Sequence, residues 1–251
     1  MPAKVSIKNL TMEYMLKDRV VTALKGINLE IADGEFLCVV GLSGCGKTTL
    51  LNILGGFFEH TQGEILLDGK PINEVGGEMN RGVVFQEYAL FPWRTALKNV
   101  EFGLEMKGME PKEREETAQK YIELVHLEKF AHLYPHNLSG GMKQRVAVAR
   151  AYAYEPEFLL MDEPFGALDA QTRENLQEMT IEVWQKTKKT IFYVTHNLSE
   201  AVYLADRIIV LAGQPGVIHK EIRIDLPRSR DLFDPKVVDL IHMCTEAVRG
   251  N

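Results

Sequence analysis

No apolar run in this chain reaches the roughly 18–20 residues that a helix needs to cross a bilayer. The opening residues, Met-Pro-Ala-Lys-Val-Ser-Ile-Lys, lack the apolar core of a secretory leader, so the expectation is a soluble protein that stays where it is made. Cysteine is scarce. Cys38, Cys45 and Cys244 are an odd number without metal-ligand spacing, a usage suited to a reducing compartment. Positive charge is not in excess: 29 Lys and Arg stand against 35 Asp and Glu, a formal charge of −6. That argues against a chain living on nucleic-acid phosphates, though a local basic patch remains open. Internal repeats and low-complexity segments are absent. What is left is an ordinary globular composition, 45% hydrophobic and 25% charged over 251 residues. It suffices for one large α/β domain, or for one domain with an inserted subdomain.

Residues 41–49, Gly-Leu-Ser-Gly-Cys-Gly-Lys-Thr-Thr, are what the rest is organised around. They follow an apolar run at 36–40 and open a helical segment at 48–54. Strand, glycine-rich loop, helix is the order that a phosphate-binding P-loop requires. Gly41, Gly44 and Gly46 allow the tight turns that aim successive N–H groups into one concavity, where the new helix also presents its positive end. In such a loop Lys47 reaches the β- and γ-phosphates and the Thr48 hydroxyl ligates Mg²⁺. Ser43 and Thr49 add hydroxyls. Cys45 has two readings: a thiol with its pKa lowered by the helix start, or one of the loop's variable positions. The chain is therefore expected to bind a nucleoside triphosphate.

Along the chain, residues 4–40 read as strands and turns, with Tyr14 in a polar connector where an aromatic serves packing or stacks on a base. Strands are predicted at 63–69 and 81–85. Residues 96–134 look helical, with Leu97, Val100 and Leu104 at helical spacing and Pro111 opening a charged helix. From about 157 strands and helices alternate again: strand at 158–161, helix at 172–186, strand at 190–195, helix at 197–205 and strand at 207–211. Such alternation predicts a largely parallel sheet with ligands at the strands' C-terminal ends. The last 25 or so residues, with Pro227, Arg228 and Arg230, are too few for a second domain.

At 158–163 four apolar residues deliver two carboxylates to a strand end. Asp162 is placed to hold Mg²⁺, and Glu163 to polarise an attacking water. At 138–145, Leu-Ser-Gly-Gly-Met-Lys-Gln-Arg, Ser139 is a natural N-cap, and Gly140 and Gly141 expose N–H groups at a second helix start. His196, directly after an apolar strand, can reach a γ-phosphate, although a lone histidine is more often structural. Gln86, the polar end of another apolar strand, suits Mg²⁺ or water but is ordinary by itself.

Taken in order, the P-loop, Gln86, Leu-Ser-Gly-Gly at 138–141, Asp162 with Glu163, Gly-Ala-Leu-Asp at 166–169 and His196 resemble the nucleotide-binding subunit of ABC transporters over essentially the whole chain. The Leu-Ser-Gly-Gly signature separates that family from other P-loop ATPases. The resemblance implies an α/β fold: a P-loop NTPase core with a mostly parallel sheet, an N-terminal antiparallel β subdomain and an inserted helical subdomain. The implied partition is a core at 1–86 and 157–225, a helical part at about 87–156 and a short tail at 226–251. It also implies a head-to-tail homodimer, each ATP lying between one copy's P-loop and the other's Ser139, Gly140 and Gly141. Asp169 would cross that interface, and Tyr14 would stack on adenine. Thr48, Gln86 and Asp162 would hold Mg²⁺, while Glu163, His196 and Lys47 act in hydrolysis.

Two positions depart from the commonest pattern: Met142 where glutamine often follows the signature, and Asn197 where aspartate often follows the histidine. Neither removes a catalytic group. The segments at 86–95, 164–170 and 225–231 look like those of nitrate, sulfonate, taurine and bicarbonate importers. Such a subunit is cytoplasmic, peripheral on the inner face of the membrane, and works with separate permease subunits and, indirectly, a solute-binding protein. The aromatic stretch of Tyr88, Leu90, Phe91, Pro92 and Trp93 either belongs to a groove for a permease helix or packs between subdomains. The alternative function is a stand-alone ABC ATPase of an exporter or of a non-transport complex.

Overall fold

The computed structural model describes residues 3–72, 81–166 and 168–250. Ala167, inside the motif at 166–169, lies outside the described residues. Two compact units are present, one drawn from 1–79 and 190–251, the other from 80–189.

In the first unit β1 (Ala3–Leu16) and β2 (Arg19–Ala32) form a long antiparallel hairpin, in which Val5, Ile7, Leu10 and Met12 alternate into the core. Tyr14 is not in a connector. It lies within β1 opposite Val21, because Tyr14, Met15 and Leu16 pair directly with Val21, Val20 and Arg19. Only Lys17 and Asp18 are left to turn. Next come β3 (Phe36–Val40), buried along its whole length, and α1 (Lys47–Leu54). Strands β4 (Gln62–Leu67) and β5 (Lys70–Pro71) complete an antiparallel sheet of order β2-β1-β4-β5.

The second unit holds β6 (Arg81–Val84), α2 (Ala96–Met106), α3 (Pro111–Leu124), α4 (Gly140–Ala153), β7 (Phe158–Asp162) and α5 (Ala170–Thr187). Helices α2, α3 and α4 pack on one another, burying Val100, Leu104, Ile122 and Val146. Thr95 caps α2 by accepting from Lys98 N, and Pro111 sits at the start of α3, where its missing N–H costs nothing. Strands β6 and β7 are parallel, with Val84 opposite Met161.

The chain then returns to the first unit with β8 (Thr190–Val194), α6 (Leu198–Leu204), β9 (Arg207–Ala212), β10 (Val217–Arg223) and α7 (Pro235–Arg249). Strand β3 lies between β8 and β9, parallel to both, and β10 runs antiparallel to β9. Neither β10 nor α7 is anticipated by the strand and helix pattern above. Five of the seven β10 side chains are exposed, so its polarity hides it. Helix α7 buries Val237, Cys244 and Ala247 and packs on α6, β9 and β10.

Candidate functional site

Parallel strands deliver their C-terminal ends to one edge, and in the first unit that edge carries the phosphate loop and His196. The loop leaves β3 after Val40, and His196 follows β8, whose Val194 pairs with Val39. Gly41 has φ +155°, and a Cβ there would lie 2.2 Å from the backbone oxygen of Leu211, so only glycine fits. Gly46, φ +95°, is the N-cap of α1. Among the described α-helices, α1 alone has neither a side-chain cap nor an acidic residue in its first turn. Its orphan N–H groups and dipole are left for an anion.

Lys47 is buried, and its Nζ donates to the carbonyls of Gly41 (2.9 Å) and Leu42 (3.1 Å). The ammonium thus sits within the loop that its own backbone forms. Ser43, Gly44 and Thr48 are exposed around it. The Thr49 hydroxyl lies 3.4 Å from Tyr14 Oη, and the Tyr14 ring meets Phe58 edge-on at 6.1 Å. Cys45 is buried, and burial pushes its thiol pKa up despite the neighbouring Lys47, so the reading as an activated thiol falls.

The second unit gathers a complementary set. Gln86 lies just beyond β6, and Asp162 ends β7, so the parallel pairing brings both to one edge. A Cβ built on Gly166 would lie 3.7 Å from Gln86 Nε2 and 3.8 Å from Glu163 Oε2; the two side chains flank the same glycine. Glu163 adopts φ +43°, a left-handed conformation that residues with a Cβ enter reluctantly, and its carbonyl accepts from Gly166 N.

Ser139 caps α4 by accepting from Met142 N at 3.3 Å. Position 142 enters that cap only through its backbone, which makes methionine acceptable there. A Cβ on Gly141 would stand 2.5 Å from Thr172 Cγ2, so α4 starts hard against the first turn of α5. Asp169 caps α5 through Thr172 N (3.0 Å), a bond that holds its carboxyl below the usual carboxylate range. In the first unit Asn197 caps α6 through Glu200 N, so the departure from aspartate keeps the cap.

An open groove of about 780 Å³ is lined by Gln86, Tyr88, Leu90, Pro92, His136 and Lys143 among others. Phe91 and Trp93, expected in the same groove, are not part of the lining; Phe91 packs on Phe102, and Trp93 stands 70% exposed beside the Phe91 ring. Two residues that shape this region were missed from sequence. Arg150 donates to the carbonyls of Ala89 (2.7 Å) and Tyr88 (3.3 Å), and fully buried Asn99 binds the backbone of Phe91, Arg94 and Thr95. Their partners are backbone atoms, which leave no mark in residue identity.

The donors expected for a cation, the Thr48 hydroxyl, the Gln86 amide and the Asp162 carboxylate, are all hard oxygens. Among the described residues no group of three His, Cys, Asp or Glu is gathered as a transition-metal cage. That set fits Mg²⁺, which takes few protein ligands and leans on substrate phosphates.

A family model described as ABC transporter matches residues 24–166. An uncharacterized ABC transporter ATP-binding protein of Methanocaldococcus jannaschii is 55% identical over 231 residues, covering 92% of this chain and 86% of that one. The nitrate import ATP-binding protein of Synechocystis is 49% identical over 227 residues, covering 90% of this chain and 85% of the other. For the taurine import ATP-binding protein of Roseobacter denitrificans the figures are 46% over 236 residues, 92% and 87%. A solved dimeric ATP-binding cassette, in a post-hydrolysis state bound to ADP and Pi, superposes with a TM-score of 0.78 at 36% identity, covering 89% of this chain and 100% of that one.

Proposed function

Because the chain belongs to the ABC transporter ATP-binding family, we propose that it powers an importer of small anionic solutes, as a head-to-tail dimer on separate permease subunits. ATP binding and hydrolysis come with the family; solute class, dimer and partners are the proposal. The observation that carries its ATP-driven part is the glycine-gated loop at the uncapped start of α1, with the Lys47 ammonium held inside it. The nitrate and taurine importers among the relatives support the solute class, and the dimeric cassette supports the assembly.

In this reading a water oxygen attacks the γ-phosphorus in line, the bond to the ADP oxygen breaks, and Glu163 takes the water's proton. Lys47 and the N–H groups of the α1 start hold the charge that develops on the phosphoryl oxygens. His196, with Ser139 of the second copy, fixes the γ-phosphate, and Tyr14 stacks on adenine. Thr48, Gln86 and Asp162 would hold Mg²⁺, which supplies charge neutralisation at the phosphates. The residues at 87–156 act as a helical subdomain, and the groove beside Tyr88 and Leu90 takes a short permease helix. The subunit then lies in the cytoplasm against the membrane's inner face, and a solute-binding protein completes the importer.

Growth on single nitrogen or sulfur sources tests the solute class. A strain lacking this gene should fail on nitrate, on taurine or on an alkanesulfonate, and recover with the wild-type gene but not with Lys47→Ala. Full growth on every such anion would reject the importer reading.

A further inference from the structure

The segment at 225–231, Asp-Leu-Pro-Arg-Ser-Arg-Asp, is used by none of the chemistry above. Its significance begins with α6, which starts two positions after His196 and has only seven residues. An isolated helix below about 12–15 residues is marginal in water, so both ends of α6 must be held from outside. At the front Asn197 provides the cap, and the Thr195 hydroxyl donates to the buried carboxylate of Glu200 at 2.5 Å. Thr195 Oγ1 also accepts from Asn197 N, so the residues on either side of His196 are tied into the helix's first turn.

The last carbonyls of a helix have no intrahelical partners. Arg230, 5% exposed, places its guanidinium there. Nη1 donates to the carbonyls of Val202 (2.7 Å), Tyr203 (3.2 Å) and Ala205 (2.7 Å), while Nη2 holds that of Leu226 at 3.0 Å and closes the tail on itself. Arg228 binds the Leu204 carbonyl at 2.7 Å and pairs with Asp206 at 2.7 Å. The other Asp206 oxygen accepts from Phe36 N, at the start of the strand that leads into the phosphate loop. Two cations thus face the negative end of the α6 dipole. Burial and the nearby Arg228 bring the Arg230 pKa down to about 10, which leaves it charged at neutral pH.

We propose that Arg230, assisted by Arg228, is a positioning residue for hydrolysis: by fixing the C-terminal end of α6 it fixes His196 at the other end. This rests on the reading that His196 contacts the γ-phosphate. Were Arg230 only a stability staple, its loss would lower the unfolding temperature without acting through the histidine.

The test is a double-mutant cycle in the full chain, with steady-state ATP hydrolysis measured for Arg230→Met, His196→Ala and the pair. Histidine Cε1–H NMR signals are recorded in parallel without nucleotide. Arg230→Met is expected to lower kcat about tenfold with KM for ATP within about twofold. His196→Ala should cost at least as much, and the pair no more than His196→Ala alone. The His196 signal, identified by its loss in His196→Ala, should move in Arg230→Met while those of His60, His126 and His136 stay. Equal losses in both backgrounds, or an unmoved His196 signal, overturn the positioning role and leave the reading of His196 intact. A His196→Ala protein that hydrolyses at the wild-type rate overturns that reading, and the positioning role with it. If Arg230→Met does not fold, Arg230→Lys keeps the charge with fewer donors, and the same cycle should show the same pattern at about threefold amplitude.

Discussion

Gly41 shows how little freedom the nucleotide loop has at single positions. A methyl group there would meet the Leu211 carbonyl at 2.2 Å, and the φ of +155° is itself unfavourable for a residue with a Cβ. Gly41→Ala should therefore cost about 1–3 kcal/mol of stability and remove ATP binding, read by urea unfolding and by nucleotide titration. Glu163 is the opposite case, a side chain kept despite its backbone. Its φ of +43° sits where a functional carboxylate would justify strain. Asp169 gives a pH signature. Its folded carboxyl titrates below 3.8 because Thr172 N–H binds the ionised form, so its stabilisation is present above pH 3.8 and lost as pH falls through the lower folded value. Asp169→Asn should flatten the fall in unfolding temperature on that acid limb, and an unchanged limb would place the titration elsewhere.

Among the elements, the apolar strands β6, β7, β8 and β9, helix α5 and the segments tied to chemistry were legible, while polar strand ends and contacts to backbone were not. The loop after β3, the acidic end of β7 and the cap of α4 each need particular residue types, so their positions could be read from the sequence. Tyr14 was misplaced because a tight turn at Lys17 and Asp18 lets two exposed strand ends pair, and polarity there looks like a connector. Helix α7 carries start signals in Asp234 and Pro235, but the tail was judged by its length. Asn99 and the two tail arginines bind backbone carbonyls, a role that any loop conformation can create. Asn99 makes the clearest element-scale prediction. Asn99→Ala would strip the backbone of Phe91, Arg94 and Thr95 of a fully buried partner, at a cost of about 2–4 kcal/mol in urea unfolding. A change under about 0.5 kcal/mol would mean that this segment stands without it.

At the scale of the molecule the residues that the proposed hydrolysis would use come from both compact units. Tyr14, the phosphate loop and His196 belong to one; Gln86, Ser139, Gly140, Gly141, Asp162, Glu163 and Asp169 belong to the other. In the proposed dimer the uncapped start of α1 in one copy and the Ser139-capped start of α4 in the other would share one triphosphate. The most direct measurement is the mass in solution of Glu163→Gln with Mg-ATP, alongside wild type and nucleotide-free controls, with phosphate release followed in the same samples. The change keeps the side chain's shape and removes the base. The account predicts a dimer that appears only with ATP and releases no phosphate. Hydrolysis that persists, or a protein that stays monomeric with ATP at every concentration, would contradict it.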